Sequence, residues 1–210
     1  NERVAGSAFF DKAQDKSLTA SKNHYWAMRH GEAENNVKDI IDSGQRQYHE
    51  TLRGRVEAEV SAKKLKAELA RVKQGRIDLI VASNILRAKE TAQIAQKVLG
   101  VKKLLIDKRL EEIRLGEMFG QKSSTYHAQF PTYSDKFERA PAQGETLRDL
   151  RTRVWAALSD LEKKYKGKNI LIVSHEYPIW MLCQAVEGWS EARAILEMEQ
   201  RFDSAPRKRK

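Results

Sequence analysis

A chain of 210 residues, 40% hydrophobic and 32% charged, is sized for one globular domain with short ends. No run approaches the ~20 apolar residues that cross a bilayer, the first residues lack a secretory core, and the single Cys183 excludes an intrachain disulfide, so a soluble, cytoplasmic protein is expected. The formal charge of +10 favours anionic partners, but four of those charges lie in residues 207–210, and the remaining +6 suits substrate steering better than a nucleic-acid footprint.

Residues 1–22 show no sustained period and read as an N-terminal extension or linker that the Phe9-Phe10 pair could anchor. The chain begins at Asn1 rather than Met, as processing or excision from a longer polypeptide would produce. A domain is expected over 23–200, followed by a basic tail over 201–210. Within it, 24–28 (HYWAM) reads as a strand, and Val56, Val60, Leu65, Leu69 and Val72 mark a long helix. A stronger strand covers 77–82 (IDLIVA). The helix that follows, marked by Ala88, Thr91, Ala92, Ala95, Val98 and Leu99, stops at Gly100. Residues 104–106 suggest a short strand. Leu147, Leu150, Val154, Leu158 and Leu161 then recur at helical steps, with Thr146 as the cap and Gly167 beyond the end. The clearest strand is 170–173 (ILIV). Continuous apolar runs suit strands covered on both faces, and their alternation with helices predicts a three-layer α/β/α domain with a mostly parallel sheet.

The residues capable of chemistry stand at the ends of these strands, where open parallel sheets place ligand sites. Arg29-His30-Gly31-Glu32 follows the first strand, the segment from Ser83 to Ala92 with Arg87 follows the second, and Ser174-His175 follows the last. The stretch from Arg109 to Gly120 adds carboxylates and two glycines, Gly116 and Gly120, that imply tight backbone geometry. Taken singly, each has a structural reading: His30 or His175 as an interior histidine, Arg87 as a solvated helix residue, Glu112 as half of a surface ion pair. His24, His49 and His127 have no motif partner and read as surface or packing residues, and the four tryptophans as core or interface.

The order of the motifs is more specific than any one of them. Arg-His-Gly-Glu with Asn36 seven residues after Arg29, then Ser-x-x-x-Arg-Ala-x-x-Thr-Ala, Leu-x-Glu with spaced glycines, Gly144-Glu145-Thr146 and Val-Ser-His resembles the histidine phosphatase (phosphoglycerate mutase-like) superfamily, in particular its cobalamin-pathway-type phosphatases, over roughly residues 24–185. The resemblance implies a phosphoglycerate mutase-like fold and a catalytic set of His30, Arg29, Arg87, Glu112 and His175. His30 would attack the phosphoryl group as a neutral imidazole, and the two arginines would disfavour its protonation. Arg87 would grip phosphate bidentately, His175 would donate to phosphoryl oxygens, and Glu112 would act as general acid, with Glu111 the competing assignment. Gly31 and Asn36 would contact substrate, although Asn36 could equally cap a helix.

The chain departs from the family at the residue after the second histidine, usually glycine and here Glu176, and at Asn35, where the family often has Trp. A carboxylate at that rim would repel an anion, point away, or select a substrate with a cationic group. Only 31 residues separate Glu112 from Gly144, a short cap that favours hydrolysis over mutase chemistry. The expectation is a metal-independent phosphatase without cofactor, acting on a small phosphorylated substrate and not on a membrane. The alternatives are a phosphoglycerate-type mutase, or a regulatory domain of a larger polypeptide that meets nucleic acid through the basic tail.

Overall fold

The computed structural model describes residues 2–4, 9–10, 17–19, 21–73 and 75–204. In chain order the elements are β1 (Glu2–Val4), β2 (Phe9–Phe10), β3 (Ser17–Thr19), β4 (His24–Arg29), α1 (Glu34–Val37), α2 (Leu52–Arg71), β5 (Leu79–Ala82), α3 (Leu86–Leu99) and β6 (Lys103–Ile106). They continue with α4 (Ser123–Gln129), α5 (Tyr133–Glu138), α6 (Leu147–Lys164), β7 (Asn169–Ser174), α7 (Glu176–Glu187) and α8 (Glu191–Ser204). The main sheet runs β1-β4-β7-β5-β6, parallel throughout except for β1, which pairs antiparallel with β4. The segment before residue 23 thus differs from a bare extension, since it supplies the sheet's edge and a separate β2–β3 pair. The basic run 207–210 lies outside the described residues.

The three layers follow from the apolar strands. Tyr25, Ala27, Leu79, Val81, Ile170 and Ile172 point to one side, where α6 and α7 cover them with Leu150, Val154, Leu158, Met181 and Leu182. Their neighbours Trp26, Met28, Ile80, Ala82, Leu171 and Val173 point to the other, against α2 and α3. Every residue of β7 is buried, which is why its sequence is continuously apolar instead of alternating. Each such aliphatic side chain contributes roughly 1.5–3 kcal/mol on leaving water, enough in sum to make this strand the anchor of the sheet.

Helix α6 buries the predicted leucine and valine stripe, and Thr146 caps it by accepting from Asp149 N. Helix α3 ends at Gly100, whose φ of 68° is the left-handed geometry glycine adopts freely. Helix α2 differs from expectation. Val56 and Val60 are exposed, while Gly54, Ala58, Ala62, Leu65 and Leu69 form the buried face. Ala62, Leu65 and Leu69 of α2 share one cluster with Ala92 and Ala95 of α3, so this seam combines close approach with two leucines. Among the described residues, no helix is long and apolar enough to cross a membrane.

Candidate active site

Strands β4 and β7 are neighbours in register, Arg29 opposite Ser174, so the residues that follow them emerge side by side. His30 N donates to Ser174 O at 3.0 Å, and the His30 and His175 rings lie 5.0 Å apart between centroids. Both imidazoles are nearly closed off from water, at 8% and 0% exposure. His30 Nδ1 donates to the Gly31 carbonyl at 2.7 Å, which fixes the tautomer and leaves the lone pair on Nε2. That nitrogen accepts from Arg87 Nε at 3.2 Å. Burial, then Arg87 and Arg29, hold His30 well below the ordinary histidine range. The two arginines act in the direction expected from the sequence, but desolvation is the larger cause.

Ser83, after β5, supports the second histidine. Its Oγ accepts from Ile85 N at 3.2 Å and lies 2.8 Å from His175 Nε2, the acceptor within reach of this buried hydroxyl among the described residues; donation to the ring satisfies the hydroxyl and assigns the His175 proton to Nδ1. That Nδ1 is buried and has no hydrogen-bond partner among the described residues. An unpartnered buried donor beside a lone-pair imidazole is what an oxyanion requires. His175 is also held far below the usual histidine range, first by burial and then by His30 and the arginines.

Arg87 is buried in α3 and its terminal nitrogens are occupied: Nη1 pairs with Asp42 Oδ2 at 3.0 Å and Nη2 donates to the Asp42 carbonyl at 2.9 Å. Asp42 in turn accepts from Gly44 N and Arg46 N. Nε is the nitrogen that faces His30, and Nη1 and Nη2 each keep a second N–H beyond the one given to Asp42. Arg29 is exposed and pairs with Glu176 at 3.5 Å. Gly31 makes its close approach to protein: a Cβ there would stand 2.1 Å from the Gly54 carbonyl, and its N–H donates to Glu50 and Thr91. Asn36 Oδ1 accepts from Ala33 N at 3.0 Å, the capping role foreseen for it, and the residue also lines the cavity beside His30.

Glu112 and Glu111 are separated by the structure. Glu112 lines the cavity, with Oε1 accepting from Ile113 N at 2.9 Å and Oε2 from Glu176 N at the start of α7 at 3.2 Å. Glu111 turns to Arg114 instead. Burial, reinforced by Glu176, raises the Glu112 carboxyl above its ordinary range. The loop is held by Arg153 of α6, which donates to the carbonyls of Arg109, Glu111 and Glu112 within 2.9 Å, and by Glu145 of the Gly-Glu-Thr segment. Gly116, at φ 50°, passes so close to Ala142 O that a Cβ would come within 2.0 Å.

These groups open on a cavity of about 320 Å³ whose outer wall includes Tyr126, His127, Tyr133 and Tyr177. His127, which belongs to no motif, thus stands at the site. Asp42, Arg153, Ser83 and Glu50 are the other residues sequence reasoning left unassigned; they act through contacts distant in the chain and leave no local spacing. Among the described residues, no three His, Cys, Asp or Glu side chains converge to hold a metal ion.

A model of the histidine phosphatase superfamily (branch 1) matches residues 25–200. The chain belongs to this superfamily. The 2,3-bisphosphoglycerate-dependent phosphoglycerate mutase of Bartonella bacilliformis is 28% identical over 180 residues, covering 81% of this chain and 84% of its own. Phosphoglycerate mutase-like protein 4 of Arabidopsis thaliana is 31% identical over 154 residues, 70% of this chain and 64% of the plant protein. The solved structure of a mycobacterial glucosyl-3-phosphoglycerate phosphatase bound to VO3 is 26% identical with a TM-score of 0.65, covering 81% and 83% of the two chains. Proteins named as phosphatases and as mutases thus both occur among this chain's relatives.

Proposed function

We propose that this chain hydrolyses a phosphomonoester through a phosphohistidine on His30 Nε2. The observation that carries the reading is the pair of imidazoles with opposite assignments: His30 presents a lone pair and His175 a donor, 5.0 Å apart at one cavity. His30 Nε2 attacks phosphorus, and the bond to the ester oxygen breaks as Glu112 gives that oxygen its proton. Glu112, now a carboxylate, takes a proton from the water that attacks the phosphohistidine. Phosphate leaves, His30 regains its lone pair and Glu112 its proton. His175 Nδ1–H and Arg87 Nε–H bear on the charge spread over the phosphoryl oxygens, and the fixed Asp42 contacts leave Arg87 no other orientation.

Hydrolysis is preferred to phosphoryl transfer because the segment between Glu112 and Gly144 is short and carries only the two small α-helices α4 and α5. Turnover of an aryl phosphate by the wild type and by His30→Ala, each with EDTA, tests the reading. Activity that survives the chelator, disappears with His30 and leaves an acid-labile phosphoryl group on the quenched protein is the expected result. Turnover by His30→Ala at the wild-type rate, or a strict requirement for bisphosphoglycerate, would overturn it.

A further inference from the structure

Away from the phosphoryl end, the cavity wall is acidic. Arg29 and Arg87 are the only guanidinium or ammonium groups lining it among the described residues, and both are engaged, with Glu176 at 3.5 Å and Asp42 at 3.0 Å. Facing them are Asp39, Asp42 and Glu176, while Glu112 is pushed toward its neutral form. A phosphate dianion entering here adds to a wall whose two guanidiniums are already paired. Lys136 stands behind the wall: it is buried, its Nζ lies over the Tyr133 and Tyr126 rings at 4.7 and 5.6 Å from their centroids, and its charge bears on Glu176 and His127 without lining the cavity.

Asn35, on the same wall, points the same way independently. It is 6% exposed, and its Nδ2 donates to the Ile40 carbonyl at 3.4 Å, which fixes the other end as oxygen. That Oδ1 is buried with no hydrogen-bond partner among the described residues. A buried acceptor of this kind calls for a donor. Asp39 and Glu176, both exposed, add charge-bearing acceptors at the mouth.

We propose that the substrate's leaving group carries a protonated amine and no second anion, making it a phosphorylated amino alcohol rather than a phosphoglycerate. The inference deepens the phosphatase reading and rests on it for the position of the phosphate.

Phosphoethanolamine, ethyl phosphate and phosphoglycolate are close in size and differ in the charge of the group beyond the ester. At one pH and low salt, kcat/KM should fall in that order, by about tenfold from end to end, and the spread should narrow as salt rises. Glu176→Gln and Asp39→Asn should each compress the ratio; Asn suits position 39, whose φ of 53° is left-handed. Asn35→Leu should lower the amine's advantage over ethyl phosphate. Phosphoglycolate turned over as well as phosphoethanolamine would overturn the inference. Should neither these esters nor an aryl phosphate be hydrolysed, the phosphatase reading fails, and calorimetric affinities of the same three esters decide: amine first supports the acidic-wall assignment, carboxylate first removes it.

Discussion

In the proposed reaction, Glu112 holds a proton while the ester bond breaks and lacks one when water attacks, so a carboxyl that titrates near the working pH suits that role. Its burial beside Glu176 moves it in that direction. Glu112→Gln should therefore cost about 10²-fold or more in kcat/KM for an alkyl phosphate, whose alkoxide cannot leave unprotonated, and much less in the phosphorylation step with a nitrophenyl ester. Stopped-flow bursts on the two esters would check this; equal losses would argue that Glu112 only shapes the loop. Asp42 has a different weight. Its pair with Arg87 is almost wholly buried, at 0% and 3% side-chain exposure, so removing the negative charge leaves a guanidinium uncompensated in a dry site. Asp42→Ala should cost about 3–5 kcal/mol in denaturant unfolding. The two histidines, Arg87 and Glu112 were legible as candidates because each stands in a motif near a strand end or a glycine, and their roles only through the resemblance that the order of those motifs carries. Asp42 was not: nothing near residue 42 in the chain signals a partner at 87. The preference for Glu112 over Glu111 rests on its spacing to Gly116 and Gly120, whereas the hold of Arg153 of α6 on the carbonyls of both residues has no local signal.

At the scale of elements, the nucleophile's loop is seated on the first turn of α2. Gly31 and Gly54 lie back to back, and a Cβ on Gly54 would fall 2.0 Å from the Glu32 carbonyl. Gly54→Ala should therefore destabilise by roughly 1–3 kcal/mol and also lower turnover, because the displaced backbone is the one His30 leans on. Loss of stability with unchanged kcat would separate the two effects and refute the coupling. The same contact explains why α2 was placed correctly but with its valines on the wrong face. Bulky residues dominate a periodic pattern, whereas the buried face here is chosen by how closely alanine and glycine let α3 and the loop approach. Helix α7 escaped the periodicity for the opposite reason. Most of its residues are buried, including Met181, Leu182, Cys183, Gln184, Ala185 and Val186, so no polar face marks a period of 3.6. The central strands, apolar from end to end and bounded by the motifs, were the most legible part of the fold.

Across the whole molecule, two neutral histidines sit in a protein that would otherwise gain by charging them. Below the ordinary histidine value of 6.5, the unfolded chain binds protons that the folded sites refuse, so this contribution lowers stability as pH falls. The raised Glu50 and Glu112 carboxyls act oppositely, taking up protons in the native state above 4.5. Comparing wild type with His30→Ala isolates one term: below pH 6.5 the slope of unfolding free energy against pH should lessen by about 1.4 kcal/mol per unit in the variant. Parallel slopes would mean that His30 is readily protonated in the fold. The in-register pairing of Arg29 with Ser174 has a wider consequence. Adjacent strands lie about 4.8 Å apart, close to the 5.0 Å between the two imidazoles, so the reactive geometry is a copy of the backbone repeat. Such a ruler does not stretch by degrees. Repacking beneath the sheet should leave the chemistry intact until β4 and β7 separate, and then abolish it at once, so that catalysis reports on that one ladder as faithfully as amide exchange.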